Sequence, residues 1–135
     1  MKKIVPEVRG VNMTPGGTFR HHAVVSIKKR AENEGRNVIL ALLSMGIGLK
    51  QVIVVDEDID PFDSMQVEWA MATRFQADKD AIIIPSIACS TLDPSCPEAR
   101  VTAGLGIDAT APMKERWRFE KVEIPGVDKV TYLKS

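Results

Sequence analysis

Residues Val52–Ser95 read VIVVDEDIDPFDSMQVEWAMATRFQADKDAIIIPSIACSTLDPS. The stretch opens on Val52–Val55, an apolar run without alternation, as expected of a strand covered on both faces and therefore of a parallel, interior position. Pro61 and Asp63 then open a helix, with Asp63 as N-cap and Gln66 three residues on as its reciprocal partner. The helix body, Val67–Phe75, carries Trp69, Met71 and Phe75 on more than one side, which predicts a largely buried helix. Ile82, Ile83 and Ile84 repeat the buried-strand pattern and stop at Pro85.

Working outward, His22–Ile27 (HAVVSI) is rich in β-branched residues and follows the turn signal Thr14-Pro15-Gly16-Gly17, so it reads as a strand. Between Glu32 and Met45, the residues Val38, Ile39, Leu42 and Leu43 fall at helical spacing, and Gly46 or Gly48 supplies a left-handed stop. Two β-α-β units that share the Val52–Val55 strand follow. The predicted fold is α/β, with a parallel-core mixed sheet and additional edge strands. Ser86–Gly106 reads as a long loop, Arg116–Ile124 (RWRFEKVEI) alternates like an outer strand, and the first dozen residues can add an edge strand. The whole chain, 1–135, is expected to form a single domain. Ligands of open α/β sheets sit beyond the carboxyl ends of parallel strands. That rule predicts one functional edge formed by Lys28-Lys29-Arg30, Asp56-Glu57-Asp58 and Ser86 onward.

The bulk composition narrows the function classes. At 135 residues, 44% apolar and 27% charged, the chain can bury a real core. Lys plus Arg equals Asp plus Glu at 18 each, so no net field draws it to nucleic acid or an acidic membrane. Met1-Lys2-Lys3-Ile4-Val5-Pro6-Glu7 is not a signal peptide, and no run long enough to span a bilayer occurs. A soluble, cytoplasmic chain with no nucleic-acid or membrane partner is expected. The two cysteines, Cys89 and Cys96, are too few for a disulfide framework; they read as reduced thiols, with a bridge as the alternative.

Several residues could carry chemistry. Asp56, Glu57, Asp58, Asp60 and Asp63 offer enough oxygen ligands for a hard cation. A calcium-binding helix-loop-helix would want Gly and Glu where Pro61 and Val67 stand, however. The preferred reading is structural, with the acids capping the helix and pairing with basic neighbours; a metal hydrolase built on them is the rival, and the metal ligands stay open. His21 and His22 are adjacent, so on a strand they point to opposite faces and cannot share a metal. Gly46-Ile47-Gly48-Leu49-Lys50 follows a helix and precedes a strand, the reverse of a phosphate loop. Cys89 and Cys96 do not match a zinc spacing. Arg74, late in an apolar helix, must be paired or reach the surface, and an ion pair with the loop acids is the simplest outcome.

The combination HHAVVSIKK, VIVVDEDIDPFD, VEWAMATR, DKDAIIIP, STLDPS and GIDAT, in this order, resembles the C-terminal domain of the UbiD-type decarboxylases. The likeness runs from the Pro-Gly-Gly turn at residues 15–17 through Gly106-Ile107-Asp108-Ala109-Thr110. The resemblance implies reversible (de)carboxylation of aromatic, heteroaromatic or α,β-unsaturated acids. It also implies prenylated FMN with a divalent metal (Mn or Mg) and potassium in the full complex, and none of these on the isolated chain. In similar enzymes an Arg and two Glu beside the flavin handle the carboxylate and the proton. They lie in a portion this sequence does not contain, so no catalytic residue is assigned and Glu57 is not promoted to the role. By the same resemblance Ser90, Thr91 and Leu92 form a wall of the substrate pocket. Cys89-Ser90-Thr91-Leu92-Asp93-Pro94 departs there from the commoner Gly-Ser-Pro-Leu-Asp-Pro wording. Arg74 falls in a Thr-Arg element that approaches the alkali metal and the flavin phosphate.

Two explanations fit a C-terminal domain beginning at Met1: a natural small subunit of a split enzyme, which is preferred, or a cut piece of a longer protein. The leading expectation is a small subunit that completes the pocket and the oligomeric assembly of a larger flavin-bearing chain, inactive alone. Its partner surface would be the carboxyl edge plus the Ser86–Gly106 loop, with Ile87, Leu92 and Leu105 exposed until covered. The alternative is a freestanding interaction or small-acid-binding module with the same fold.

Overall fold

The computed structural model describes residues 7–114 and 116–120. Five strands form one mixed sheet in the order β1-β2-β3-β5-β4. They are β1 (Glu7–Met13), β2 (His22–Lys28), β3 (Gln51–Asp56), β4 (Ala81–Ala88) and β5 (Val101–Ala109). Helix α1 (Glu34–Leu43) joins β2 to β3, and α2 (Ser64–Arg74) with the short α3 (Ala77–Asp80) follows β3. A 3-10 turn spans Arg116–Phe119.

The expected α/β fold with a parallel core is present, and β2, β3 and β5 are its parallel strands. The third parallel strand is not Ile82–Ile84. Those residues lie in β4, which runs on through Pro85 and pairs antiparallel with β5 at the sheet margin. Ile83 is accordingly 73% exposed. The second β-α-β crossover runs from β3 to β5, with β4 folded back inside it. Of the segment read as a loop, Ser86–Ala88 belong to β4 and the last six residues, from Val101, to β5. An antiparallel β1 flanks β2 as the expected edge strand; residues 1–6 lie outside the described residues. Arg116–Phe119 is a 3-10 turn rather than a strand, and residues 121–124 of the expected outer strand also lie outside the described residues.

Strand pleating divides the core. Ala23, Val25, Ile27, Val52 and Val54 face α1, where they pack with Val38, Ile39 and Leu43. Val24, Ile53 and Val55 face α2 and meet Val67 and Ala70. Val52–Val55 is therefore buried on both sides, as the unbroken apolar run predicts. α2 differs from expectation. Only Val67, Ala70 and Arg74 are buried, while Trp69, Met71 and Phe75 pack at its margins. One face is covered, not the whole helix. Its start follows the predicted cap: the Asp63 carboxylate accepts the Met65 and Gln66 amides. Gln66 does not close the reciprocal box; its Nε2 donates to Asp63 and its Oε1 accepts the Asp60 amide. Past the end of α1, Gly46 takes φ +70°, the left-handed stop read from the sequence.

The antiparallel β4 decides where the remaining loop goes. Its last residue, Ala88, pairs with Val101, the first of β5. The 89–100 loop thus leaves from the amino end of the parallel strands. The carboxyl edge is formed by Lys28, Asp56 and Asp108–Thr110, so the expectation that Ser86 onward shares it is corrected.

Candidate functional site

At the carboxyl edge, Asp56 ends β3 fully buried. Its Oδ2 accepts Arg74 Nη1 at 2.9 Å and the Ala111 amide at 2.8 Å, and its Oδ1 accepts Arg116 Nη2 at 2.9 Å. Arg74 closes α2 and reaches the same point. It forks onto both oxygens of Asp58 at 2.9 Å each and places Nε and Nη2 on the Phe119 carbonyl at 3.0 and 2.6 Å. These bonds use all five guanidinium N–H groups. The guanidinium carbon also lies 5.0 Å from the Trp69 ring centre. Burial works against the charge, but Asp58 and Asp56 outweigh it and hold the Arg74 pKa above its ordinary value.

Beside this cluster opens a cavity of about 130 Å³ lined in part by Lys29, Glu32, Asp80, Asp108 and Thr110, with Arg74 in its wall. Lys29 is buried and donates to the Ala111 carbonyl at 3.0 Å. Asp108 accepts the Thr110 amide and hydroxyl at 3.1 and 2.6 Å. Burial pushes its carboxyl pKa up despite those bonds and the nearby Lys29 charge. The cavity has room for a small polar ligand among fixed charges of both signs.

Ser90, Thr91 and Leu92 lie at the opposite, amino edge, so the structure does not bring them together with Arg74. The segment is a tight turn: the Leu92 amide donates to Ser90 Oγ at 3.1 Å and the Asp93 amide to the Ser90 carbonyl at 3.1 Å. Asp93 anchors it. Lys50 Nζ donates to Asp93 Oδ2 at 2.8 Å and also to Ser95 Oγ, while the Ser95 amide and hydroxyl donate to Asp93 Oδ1 at 2.9 and 2.7 Å. Lys50 and Ser95 hold the Asp93 carboxyl well below the usual carboxylate range. Leu92 is left 61% exposed, whereas Ile87 is buried against α1 and Leu105 is half-buried. Of the three apolar residues expected on a partner surface, Leu92 is the one displayed openly. That surface, read as one edge plus the loop, is split between two ends of the sheet.

Cys89 and Cys96 are joined by a disulfide, Cα–Cα 6.0 Å, in place of the reduced thiols read from the sequence. The acids of 56–63 are engaged in structure. Asp56 and Asp58 hold Arg74, Glu57 pairs with Arg9 at 3.3 Å, Asp60 accepts the Phe62 amide and Asp63 caps α2. Among the described residues no group of three or more His, Cys, Asp or Glu could hold a metal ion. His21 and His22 part as predicted, His21 to the Gly48 carbonyl and His22 to Thr14 Oγ1. Among the described residues no helix is long and apolar enough to cross a membrane.

The Phe119 carbonyl and Arg116 are contributors the sequence reading missed, since a backbone acceptor in a distant turn leaves no residue-type signal. Lys50 was missed as well. A lysine at the start of a strand marks nothing until Asp93 is brought to it.

The family described as 3-octaprenyl-4-hydroxybenzoate carboxy-lyase C-terminal domain matches residues 1–109. Anhydromevalonate phosphate decarboxylase of Aeropyrum pernix is 46% identical over 126 residues, covering 93% of this chain and 29% of that protein. Among solved structures, the UbiD-class enzyme HmfF from Pelotomaculum thermopropionicum in complex with FMN superposes with TM-score 0.80 at 45% identity, covering 92% of this chain and 28% of that one. Vanillic acid decarboxylase of Sedimentibacter hydroxybenzoicus gives TM-score 0.73 at 33% identity, with 91% and 27% covered. The chain spans less than a third of the length of the curated relatives it matches.

Proposed function

The chain belongs to the UbiD carboxy-lyase family through its C-terminal domain, and from that premise we propose that it works within a UbiD-like decarboxylase or carboxylase as the small subunit or C-terminal domain. In this reading residues 1–135 act as one unit that completes the substrate pocket and the assembly of a larger portion carrying prenylated FMN and the catalytic Arg and Glu residues. The observation that carries it is the family match over 1–109 by a chain spanning only 29% of a relative 46% identical to it.

Substrates of this enzyme are carboxylic acids of the aromatic or α,β-unsaturated class. The relative named for anhydromevalonate phosphate supports the unsaturated side, and the structure named for vanillic acid supports the aromatic one. Ser90, Thr91 and Leu92 are assigned to the pocket wall. Their turn is held by Asp93 and Lys50 and presents Leu92 outward, as a wall completed by a second surface requires.

The flavin and its metals belong to the larger portion. The acids of 56–63 do not fit a metal role, because Asp56, Asp58, Asp60 and Asp63 are spent on Arg74, Arg116 and backbone amides and Glu57 pairs with Arg9. Arg74 does not fit direct phosphate binding in the arrangement described, since none of its N–H groups is spare. A contact with the flavin phosphate requires release of the Phe119 carbonyl or of Asp58. Otherwise Arg74 serves that region by holding the carboxyl edge in shape.

Affinity capture of the chain from its native extract, with the absorbance spectrum and masses of what accompanies it, tests the reading. A flavin-bearing partner whose turnover depends on this chain supports it. A chain that emerges alone and colourless, and binds small carboxylic acids unaided, supports the freestanding module instead.

A further inference from the structure

We propose that Cys89 and Cys96 form a reversible dithiol–disulfide modification site that sets the mobility of the Ser90–Leu92 turn, with a low-molecular-weight dithiol or disulfide as co-substrate. Only its consequence for turnover rests on reading that turn as a pocket wall; the switch itself stands on the geometry of the loop.

Both cysteines of the chain lie in this one loop. Cys89 directly follows β4, and the bond to Cys96 closes a small ring around Ser90–Ser95. Neither cysteine belongs to either core cluster. Both are half-buried among the exposed residues Thr91, Leu92, Pro94, Ser95 and Pro97–Arg100, so an attacking thiolate can reach the bond without unfolding the sheet. Two non-glycine residues with positive φ bracket the segment, Ser86 at 62° and Arg100 at 61°. They confine its conformational freedom between two fixed bends.

The ring contains one fixed post, Asp93, tied to the amino edge by Lys50. The disulfide is the second tie, fastening Cys96 back to the end of β4. With that bond open, Ser95 stays bonded to Asp93 and Lys50, and from Cys96 onward the chain is held by two local turns, Cys96 amide to Asp93 carbonyl at 3.0 Å and Arg100 amide to Pro97 carbonyl at 2.9 Å, until β5 begins. Cys89 itself then keeps one backbone bond, its amide to the Arg100 carbonyl at 3.3 Å. Closing the bridge clamps the Ser90–Leu92 turn, and opening it frees the turn while both core clusters remain packed.

The chemistry balances as thiol–disulfide exchange. In closing, Cys89 and Cys96 lose two protons and two electrons as the Sγ–Sγ bond forms, and an external disulfide is cleaved to two thiols. In opening, an external dithiol becomes a cyclic disulfide and each cysteine sulfur regains a proton.

The test uses the full chain in graded mixtures of reduced and oxidised dithiothreitol, without denaturant. Free thiols are counted by alkylation and mass spectrometry, and amide hydrogen exchange is followed on both forms. We expect both cysteines to become alkylatable together. The Leu92, Asp93 and Cys96 amides should exchange about tenfold faster in the reduced chain or more, while β2 and β3 keep their protection. The double variant Cys89→Ser/Cys96→Ser should reproduce the reduced pattern. A bridge that yields only after denaturation, a loop whose exchange ignores reduction, or a loss of protection spreading into β2 and β3 each overturns the proposal. Failure of Leu92→Ala to change the turnover of the assembled enzyme removes the pocket-wall reading and leaves the switch standing, so the two failures are told apart.

Discussion

Arg74 Nη1 lies 2.9 Å from Asp56 Oδ2, and the two side chains are 2% and 0% exposed. The pair joins the end of α2 to the end of β3, so the helix that packs on the sheet is also tied to its carboxyl edge. Arg116 and the Ala111 amide complete the shell of Asp56. Removing one member of a buried, hydrogen-bonded pair leaves the other charged and uncompensated.

Arg74→Ala is therefore expected to cost about 3–5 kcal/mol of folding stability, read as a fall in the urea midpoint at unchanged slope. Arg74→Lys should recover only part of this, because an ammonium cannot fork onto Asp58 while also reaching Phe119. A loss below about 1 kcal/mol would show that Arg116 alone satisfies Asp56.

Gly106 in β5 faces α1 at a point where an added Cβ would fall inside contact distance of Ile39 Cγ2, and at Gly104 it would stand 2.7 Å from Ile87 Cδ1. Ile39 is fully buried and cannot retreat. Gly106→Ala should cost about 1–3 kcal/mol or more through overpacking. Combining it with Ile39→Ala should cost less than the sum of the two single changes, because the truncation makes the space that the methyl needs. Additive losses in a double-mutant cycle would count against direct contact as the cause.

The same two glycines explain what the sequence concealed. β2, α1 and β3 were legible because their periods are set by burial: HAVVSI and VIVV lie across both cores, and Val38, Ile39 and Leu43 form one helical stripe. β5 carries Gly104 and Gly106 where α1 and β4 press on it, and a strand that must leave room for its neighbours loses the β-branched residues that mark a strand. The three isoleucines of β4 misled in the other direction, since Ile83 faces out at the sheet margin. Once β5 took the third parallel place, the loop bearing Ser90–Leu92 moved to the amino edge, away from Arg74. The pairing of Arg74 with the acids after β3 was readable because a guanidinium in an apolar helix has few alternatives. The Phe119 carbonyl and the link from Lys50 to Asp93 were not, since both depend on chain segments distant in sequence.

The Asp63 cap gives a local test. Its carboxylate accepts the Met65 and Gln66 amides at 3.0 and 3.4 Å. Asp63→Ala should cost about 1 kcal/mol, and Asp63→Ser or Asp63→Asn should restore most of it. Thermal denaturation of the three variants decides. If Ser and Asn fare no better than Ala, the charge of Asp63 matters rather than its hydrogen bonds.

The two edges of the sheet should respond oppositely to pH through Asp93 and Asp108. Hydrogen bonds from Lys50 and Ser95 hold the Asp93 carboxyl below its ordinary 3.8 in the folded chain. The folded state therefore binds that proton less readily than the unfolded one. Its contribution is present above the ordinary value and disappears as pH falls through the lowered one. Burial raises the Asp108 carboxyl above 3.8, against its bonds to Thr110, so its contribution is full below that value and is lost as pH rises through the raised one. Asp93→Asn should thus lower the urea midpoint at pH 7 and converge with the parent chain at strongly acidic pH. Asp108→Asn keeps an oxygen acceptor for Thr110 and removes the buried charge. It should raise the midpoint at pH 7 relative to the parent and lose that advantage near pH 3. Urea titrations of both variants and the parent across this range read the result directly. An Asp108→Asn chain destabilised at pH 7 would mean that the attraction between Asp108 and Lys29 outweighs the burial of its charge.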